Sequence, residues 1–142
     1  MIEPATERDL AEVRALLQRL SLPLEGVDEH VDTMLVARAD GHVVGTVALE
    51  LYGDGALLRS VAVDPGRQGE RLGHELTEAA LCLAAQNGAS TVFLLTTTAE
   101  RFFPKFGFEP IGRDDVPPSV QASVEFQSAC PASATVMRKH LR

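Results

Sequence analysis

The chain has 142 residues, 45% hydrophobic and 23% charged, with a formal net charge of −7. That usage is ordinary for a soluble protein, and one domain spanning 1–142 can bury a core without staples. The absence of any basic run excludes nucleic acid and anionic membrane as main partners, because both need a clustered cationic surface.

"MIEPA" predicts a first strand. Thr6, with Asp9 behind it, is a natural N-cap for a helix whose Leu10, Val13, Leu16, Leu17 and Leu20 fall at helical spacing. "PLEGVDEHV" reads as a short helix or ordered loop. From Asp32 to Val63 the pattern gives three antiparallel strands with Asp40-Gly41 and Asp54-Gly55 as hairpin turns. A two-residue turn at Asp54-Gly55 pairs Gly53 with Ala56 and sets Glu50 directly opposite Arg59. Next comes a helix with Leu72, Leu76, Ala80, Leu83 and Ala84 on one face, Cys82 on its core-facing side, and a stop at Asn87-Gly88. "STVFLLTT" reads as a strand covered on both faces, "TAERFFPKF" as a short helix, and "GFEPIGR" and "ASATVMRKHL" as strands. Residues 119–133 read as irregular or part helix. The order predicts an α/β (α+β) fold, a single mixed, mostly antiparallel sheet with helices on both faces.

No apolar stretch reaches membrane-spanning length, and "MIEPATERDL" has no signal-peptide pattern. Cys82 and Cys130 are too few for a disulfide framework, so a reducing cytoplasm is expected. Neither belongs to a cluster of zinc spacing, and no metal is expected.

Chemistry concentrates in "PGRQGERLGHEL". Gln68, Gly69, Glu70, Arg71, Leu72 and Gly73 lie where a strand gives way to a helix, whose first amides lack helical acceptors and suit a phosphate or pyrophosphate. A plain strand-to-helix turn fits the same residues. His74-Glu75 in place of Lys-Ser/Thr excludes a P-loop, and the missing third glycine excludes a Rossmann turn.

With its strand, the stretch "LLRSVAVDPGRQGERLGHEL" resembles the cofactor motif of the GNAT superfamily of acetyl-CoA-dependent N-acetyltransferases, V-x-V-x-P followed by [RQ]-x-x-G-x-[GA]. Arg71 stands where that family usually has its middle glycine. "TTTAERFFPKFGFEPIGR" is similar to the family's second signature, A-x-x-[FY]-[YF]-x-x-x-G-[FY]. The resemblance implies the GNAT fold, acetyl-CoA as co-substrate without a metal, and a pyrophosphate on the loop. It implies cofactor contacts from Val61, Ala62, Val63, Gln68, Gly69, Glu70, Arg71, Leu72, Gly73, His74 and Phe103. It also implies that the strand bulges near Val61–Val63, splays from its neighbour and pairs with the pantetheine amides, and that a bound amine attacks the thioester in a ternary complex.

Many such enzymes carry a tyrosine acid where this chain has Phe103; its only tyrosine is Tyr52. Loss of an acid worth ~10²–10⁴-fold slows transfer without forbidding it. Two classes therefore stay open: an acetyltransferase and a non-catalytic acyl-CoA-binding module or sensor. Glu50 and Arg59 likewise admit two roles, an ion pair that orders the hairpin or an acceptor site in which Glu50 takes the amine proton.

Three stretches, "VALELYGDGALLRSVAV", "FLLTTTAERFFPKFGF" and "SVEFQSACPASATVMRKHL", resemble the arsenic-resistance-associated N-acetyltransferases, relatives of the N-acetylglutamate synthase acetyltransferase domain. That implies a small-molecule amine acceptor, amino-acid-like, including a toxic or arsenic-containing glutamate analogue, and allows a homodimer. Glu50, Arg59, Ser60 and Cys130 are the acceptor-side candidates. Cys130 as a packed or exposed thiol, and His30, His42, His74 and His140 as surface, turn or solvated helix residues, are the plainer readings.

Overall fold

In the computed structural model, residues 2–53, 55–67, 71–97, 99–126 and 133–141 are described. Strand β1 (Ile2–Pro4) leads through a 3-10 turn into helix α1 (Leu10–Arg19). The Thr6 amide donates to Asp9 Oδ2 at 2.8 Å, one half of a capping box, while the Asp9 amide closes the 3-10 turn on the Thr6 backbone carbonyl at 2.9 Å. "PLEGVDEHV" contributes to a 3-10 segment, Val27–Thr33.

Strands β2 (Met34–Ala39), β3 (His42–Tyr52) and β4 (Gly55–Val63) form an antiparallel meander. Asp40 (φ 54°) and Gly41 (φ 79°) make the first turn, with the two left-handed residues a type I′ hairpin requires. Helix α2 (Leu72–Gln86) ends as expected, with Gly88 left-handed and the Ala89 amide bonded to the Ala84 carbonyl at 3.0 Å. Then come β5 (Thr91–Thr96), a 3-10 turn Phe103–Phe106, β6 (Glu109–Ile111), the one-turn helix α3 (Pro118–Gln121) and β7 (Thr135–His140). The seven strands form one mostly antiparallel sheet in the order β1-β2-β3-β4-β5-β7-β6, with β4–β5 parallel.

Val47, Leu49, Leu58 and Leu94 pack with Leu76, Ala80 and Ala84 of α2 on one face. The other face holds two apolar clusters: one gathers Val13, Leu16 and Leu17 of α1 with Met34, Val36 and Ala48, the other Val116 and Val120 with Leu57, Phe93 and Val136. Strand β5 is thus covered on both sides, which explains its unbroken apolar run.

Two expectations fail. Tyr52, not Gly53, closes the second hairpin opposite Gly55, so Glu50 faces Leu57 and Arg59 faces Ala48. Gly55 is not a turn residue because β4 already lies against β5 there: at φ 151° a Cβ on it would sit 2.9 Å from the Thr91 carbonyl oxygen. The register moves by two residues, which preserves the sheet face, so Glu50 and Arg59 still share one and meet diagonally. Cys82 is exposed on the outer side of α2, two residues from both Ala80 and Ala84 and so on the face opposite the buried stripe of Leu76, Ala80 and Ala84.

Candidate functional site

Parallel pairing of β4 with β5 is confined to Ala56↔Val92 and Leu57↔Phe93. Between Arg59↔Ala48 and Ala62↔Thr46 the register with β3 also shifts, two residues of β4 spanning one of β3. Ser60 takes up that bulge at φ 59°, a left-handed conformation costly for a residue with a Cβ. The bulge bends β4 away from β5 and opens a groove of about 950 Å³. Val61, Ala62 and Val63 form one wall, Leu94, Leu95 and Thr96 the facing wall, and Ser21, Leu22 and Pro23 part of the rim.

One end of the groove is basic. Arg67, Arg71 and Lys105 line it, together with Leu72, Gly73 and His74 at the start of α2. Arg71 is the N-cap of α2 at φ 64°, ψ 10°, and the first helical bond runs from the Glu75 amide to its carbonyl at 3.0 Å. The amides before Glu75 are the unsatisfied donors of a helix start. A Cβ on Gly73 would meet Phe102 Cζ and Val63 Cγ2 at 3.6 Å, so alanine fits there while a longer side chain would run into the groove wall. His74 is tied back by Glu78 Oε2 at 3.3 Å and by the Phe106 ring at 4.8 Å, as a helix-surface residue is. Phe103 is packed edge-on against Phe102 and Phe108 and supplies no hydroxyl. Gln68, Gly69, Glu70 and Cys130 lie outside the described residues.

At the other end, Arg59 and Glu50 belong to a buried polar seam between the two apolar clusters. Arg59 Nη1 donates to Glu50 Oε2 at 2.7 Å, Nη2 to the Glu25 carbonyl at 2.6 Å, and Nε to Ser60 Oγ at 3.1 Å. Glu125 Oε2 stands 3.4 Å from Nη2. Tyr52 donates its hydroxyl to Glu50 Oε1 at 2.5 Å, and His30 Nε2 lies 3.5 Å from Glu50 Oε2. Burial pushes the Glu50 carboxyl up, but hydrogen bonds from Ser123, Tyr52 and Arg59 outweigh it and hold the group below the usual carboxylate range. Burial, with the bond to Glu50, pushes the Tyr52 phenol up to about 12.

The seam corrects and extends the sequence reading. Glu50 is 1% exposed and lies behind Arg59 rather than on the groove wall. His30 is not a free surface residue but part of the seam, whereas His42 and His140 are exposed as expected. Glu125, Ser123 and the Glu25 carbonyl were missed. The only signal was the polar–apolar alternation from Ser119 to Phe126, in which Ser123 and Glu125 are two of the polar positions, and nothing in it pointed at Arg59.

A family model for the acetyltransferase (GNAT) domain matches residues 30–110, more than half of the chain. The chain belongs to the GNAT family. It is 28% identical over 138 residues to an amino-acid acetyltransferase of Pseudomonas putida, and 40% identical over 72 residues to one of Mycobacterium tuberculosis. These matches cover 88% and 50% of this chain but only 32% and 41% of those proteins. The chain thus spans well under half the length of the curated relatives it matches. Among solved structures, Rv2747 from Mycobacterium tuberculosis in complex with CoA superposes over 100% of this chain and 99% of its own (TM-score 0.85, 26% identity). N-acetylglutamate synthase from Neisseria gonorrhoeae, complexed with coenzyme A and N-acetyl-glutamate, shares the fold over 100% of this chain and 35% of its own (TM-score 0.86, 22% identity). Among the described residues no group of three His, Cys, Asp or Glu is arranged to hold a metal, and no helix is long and apolar enough to cross a membrane.

Proposed function

We propose that this GNAT protein is an acetyl-CoA-dependent N-acetyltransferase of the cytoplasm, acting on a small amino-acid-like acceptor by direct attack in a ternary complex. The observation that carries the reading is the groove where β4 leaves β5, basic at one end and holding a buried arginine and carboxylate at the other. The basic end and the α2 amides suit the coenzyme A pyrophosphate. The edge of β4 at Val61, past its last pair with β5, suits the pantetheine amides and would hold the thioester beside Ser60. The acceptor reacts as its free amine: the nitrogen forms the C–N bond, the C–S bond breaks with its electron pair on sulfur, and the surplus N–H proton passes through solvent to the thiolate. With thiol pKa values of about 8.5, that leaving group needs little help near neutral pH.

The names of the relatives support an amino-acid acceptor, and Arg59 is the cation suited to its carboxylate. Glu50, enclosed and already bonded to Arg59 and Tyr52, is assigned to orient Arg59 rather than to take the amine proton. A panel of L-amino acids headed by L-glutamate, with toxic and arsenic-containing glutamate analogues and plain alkylamines, scored by free thiol release, tests the reading. Turnover of amino acids over alkylamines supports it, and good turnover of plain alkylamines sinks the amino-acid class. Phe103 favours one other reading, a non-catalytic acyl-CoA-binding module, which predicts tight acetyl-CoA binding without acceptor-dependent thiol release.

A further inference from the structure

Ser60 lines the groove at the bulge of β4, at φ 59°, and is 9% exposed. Neighbours on a regular strand point to opposite faces, so the bulge is what lets Ser60 Oγ reach Arg59 Nε, 3.1 Å away. A hydroxyl has one proton to donate and two lone pairs to accept with. Arg59 Nε takes a lone pair, and that is the one hydrogen bond the Ser60 side chain makes among the described residues. The proton is left for whatever occupies the groove. The guanidinium behind it is held in place, with Nη1 bonded to Glu50 at 2.7 Å and Nη2 to the Glu25 carbonyl at 2.6 Å. A fixed cation on the oxygen polarises the O–H and strengthens it as a donor. The aromatic positions offer no substitute: Phe103 has no hydroxyl, and Tyr52 gives its own to Glu50.

We propose that Ser60 is a catalytic residue whose hydroxyl donates a hydrogen bond to the coenzyme A sulfur as the thioester breaks. The inference rests on the acetyl-CoA reading above and deepens it. As the C–N bond forms and the C–S bond breaks, the electron pair of the latter becomes thiolate charge beside Ser60. The Ser60 proton stays on its own oxygen and bridges to that charge. The thiolate then takes the proton that the amine has released through solvent. A donor already aimed where charge develops needs no reorganisation at the moment of reaction. The same bulge shows what serine adds, since glycine would adopt φ 59° freely but carry no hydroxyl.

The test titrates the thiol of coenzyme A bound to the full chain, through the ultraviolet absorption of its thiolate. Subtracting the desulfo-coenzyme A complex cancels Cys82 and Cys130. A donor to sulfur favours the charged form, so the bound thiol should ionise at lower pH than free coenzyme A. Ser60→Ala should move the thiol–thiolate balance roughly ten-fold or more toward thiol. Affinity for desulfo-coenzyme A, which has no sulfur to bond, should stay unchanged. Ser60→Gly, which relieves the backbone, should behave in the same way. Where an acceptor is turned over, both variants should lose kcat without a matching rise in the KM for acetyl-CoA. An unchanged thiol titration in both variants overturns the proposal, and so does equal weakening of coenzyme A and desulfo-coenzyme A, the signature of a structural role. If calorimetry finds no coenzyme A binding to the unmodified protein, the functional reading fails and takes the proposal with it. Binding with an unperturbed thiol overturns the proposal alone.

Discussion

Arg71 occupies a backbone conformation, φ 64°, that glycine adopts freely and other residues adopt at a cost of roughly 1–2 kcal/mol. That cost is offset if the side chain does something a glycine cannot, and its place at the basic end of the groove supplies the reason. Arg71→Gly should therefore leave the melting temperature equal or higher while weakening acetyl-CoA. Calorimetry at two ionic strengths checks this, since the deficit should be largest in low salt, where the lost charge is least screened. Unchanged affinity would remove Arg71 from the phosphate site. Tyr52 gives a second expectation. Its phenol is bonded to Glu50 and pushed up to about 12, so it offers no proton to the groove. The rate should climb with pH as the acceptor amine deprotonates, without a descending limb near pH 10. Phe103→Tyr should raise the rate at the top of that range, provided the added hydroxyl reaches past Phe102.

At the scale of elements, two segments converge on Arg59, and Gly26 permits one of them to come so close. It is left-handed at φ 80°, and a Cβ there would sit 3.0 Å from both Arg59 Nη1 and Val124 Cγ1. Gly41 has the same conformation, φ 79°, with nothing within 4 Å. Gly26→Ala and Gly41→Ala should share the ~1–2 kcal/mol backbone cost. Only the first should also displace Arg59, lowering the melting temperature further and raising the acceptor KM; equal effects in both would mean the roof over Arg59 tolerates movement. How far elements could be read from sequence follows the same division. Caps, the first hairpin, the α2 stop and the doubly buried β5 rest on local chemistry, and each was legible. The second hairpin was not, because Gly55 serves a close approach to β5, a contact no local pattern encodes. The face of Glu50 and Arg59 was recovered because the slip was even. Glu125, His30 and the Glu25 carbonyl come from three separate segments and meet only in the folded chain.

For the molecule as a whole, buried carboxylates set the response to acid. Glu50 titrates below its ordinary range, and Asp9 does too, chiefly through the hydrogen bond from Arg38. A carboxyl depressed in the folded state adds stability above its unfolded pKa, about 4, and loses it as pH falls through the folded value. The melting temperature should thus hold near neutrality and fall below about pH 4, with a shallower fall in Glu50→Gln; the same slope in both proteins would show that Glu50 is not a source. Stability also depends on how the sheet is joined. Strands β1–β4 and β5-β7-β6 are two ladders stitched by two residue pairs, Ala56↔Val92 and Leu57↔Phe93, with an open seam beyond. A cofactor lying along that seam acts as a missing rung shared by both ladders. The amide of Val61 should exchange with solvent quickly in the free protein and slowly in its coenzyme A complex. Because such binding favours the folded chain by mass action, resistance to unfolding and to proteases would rise and fall with the supply of acetyl-CoA. The abundance of the protein would then follow the carbon supply of the cell.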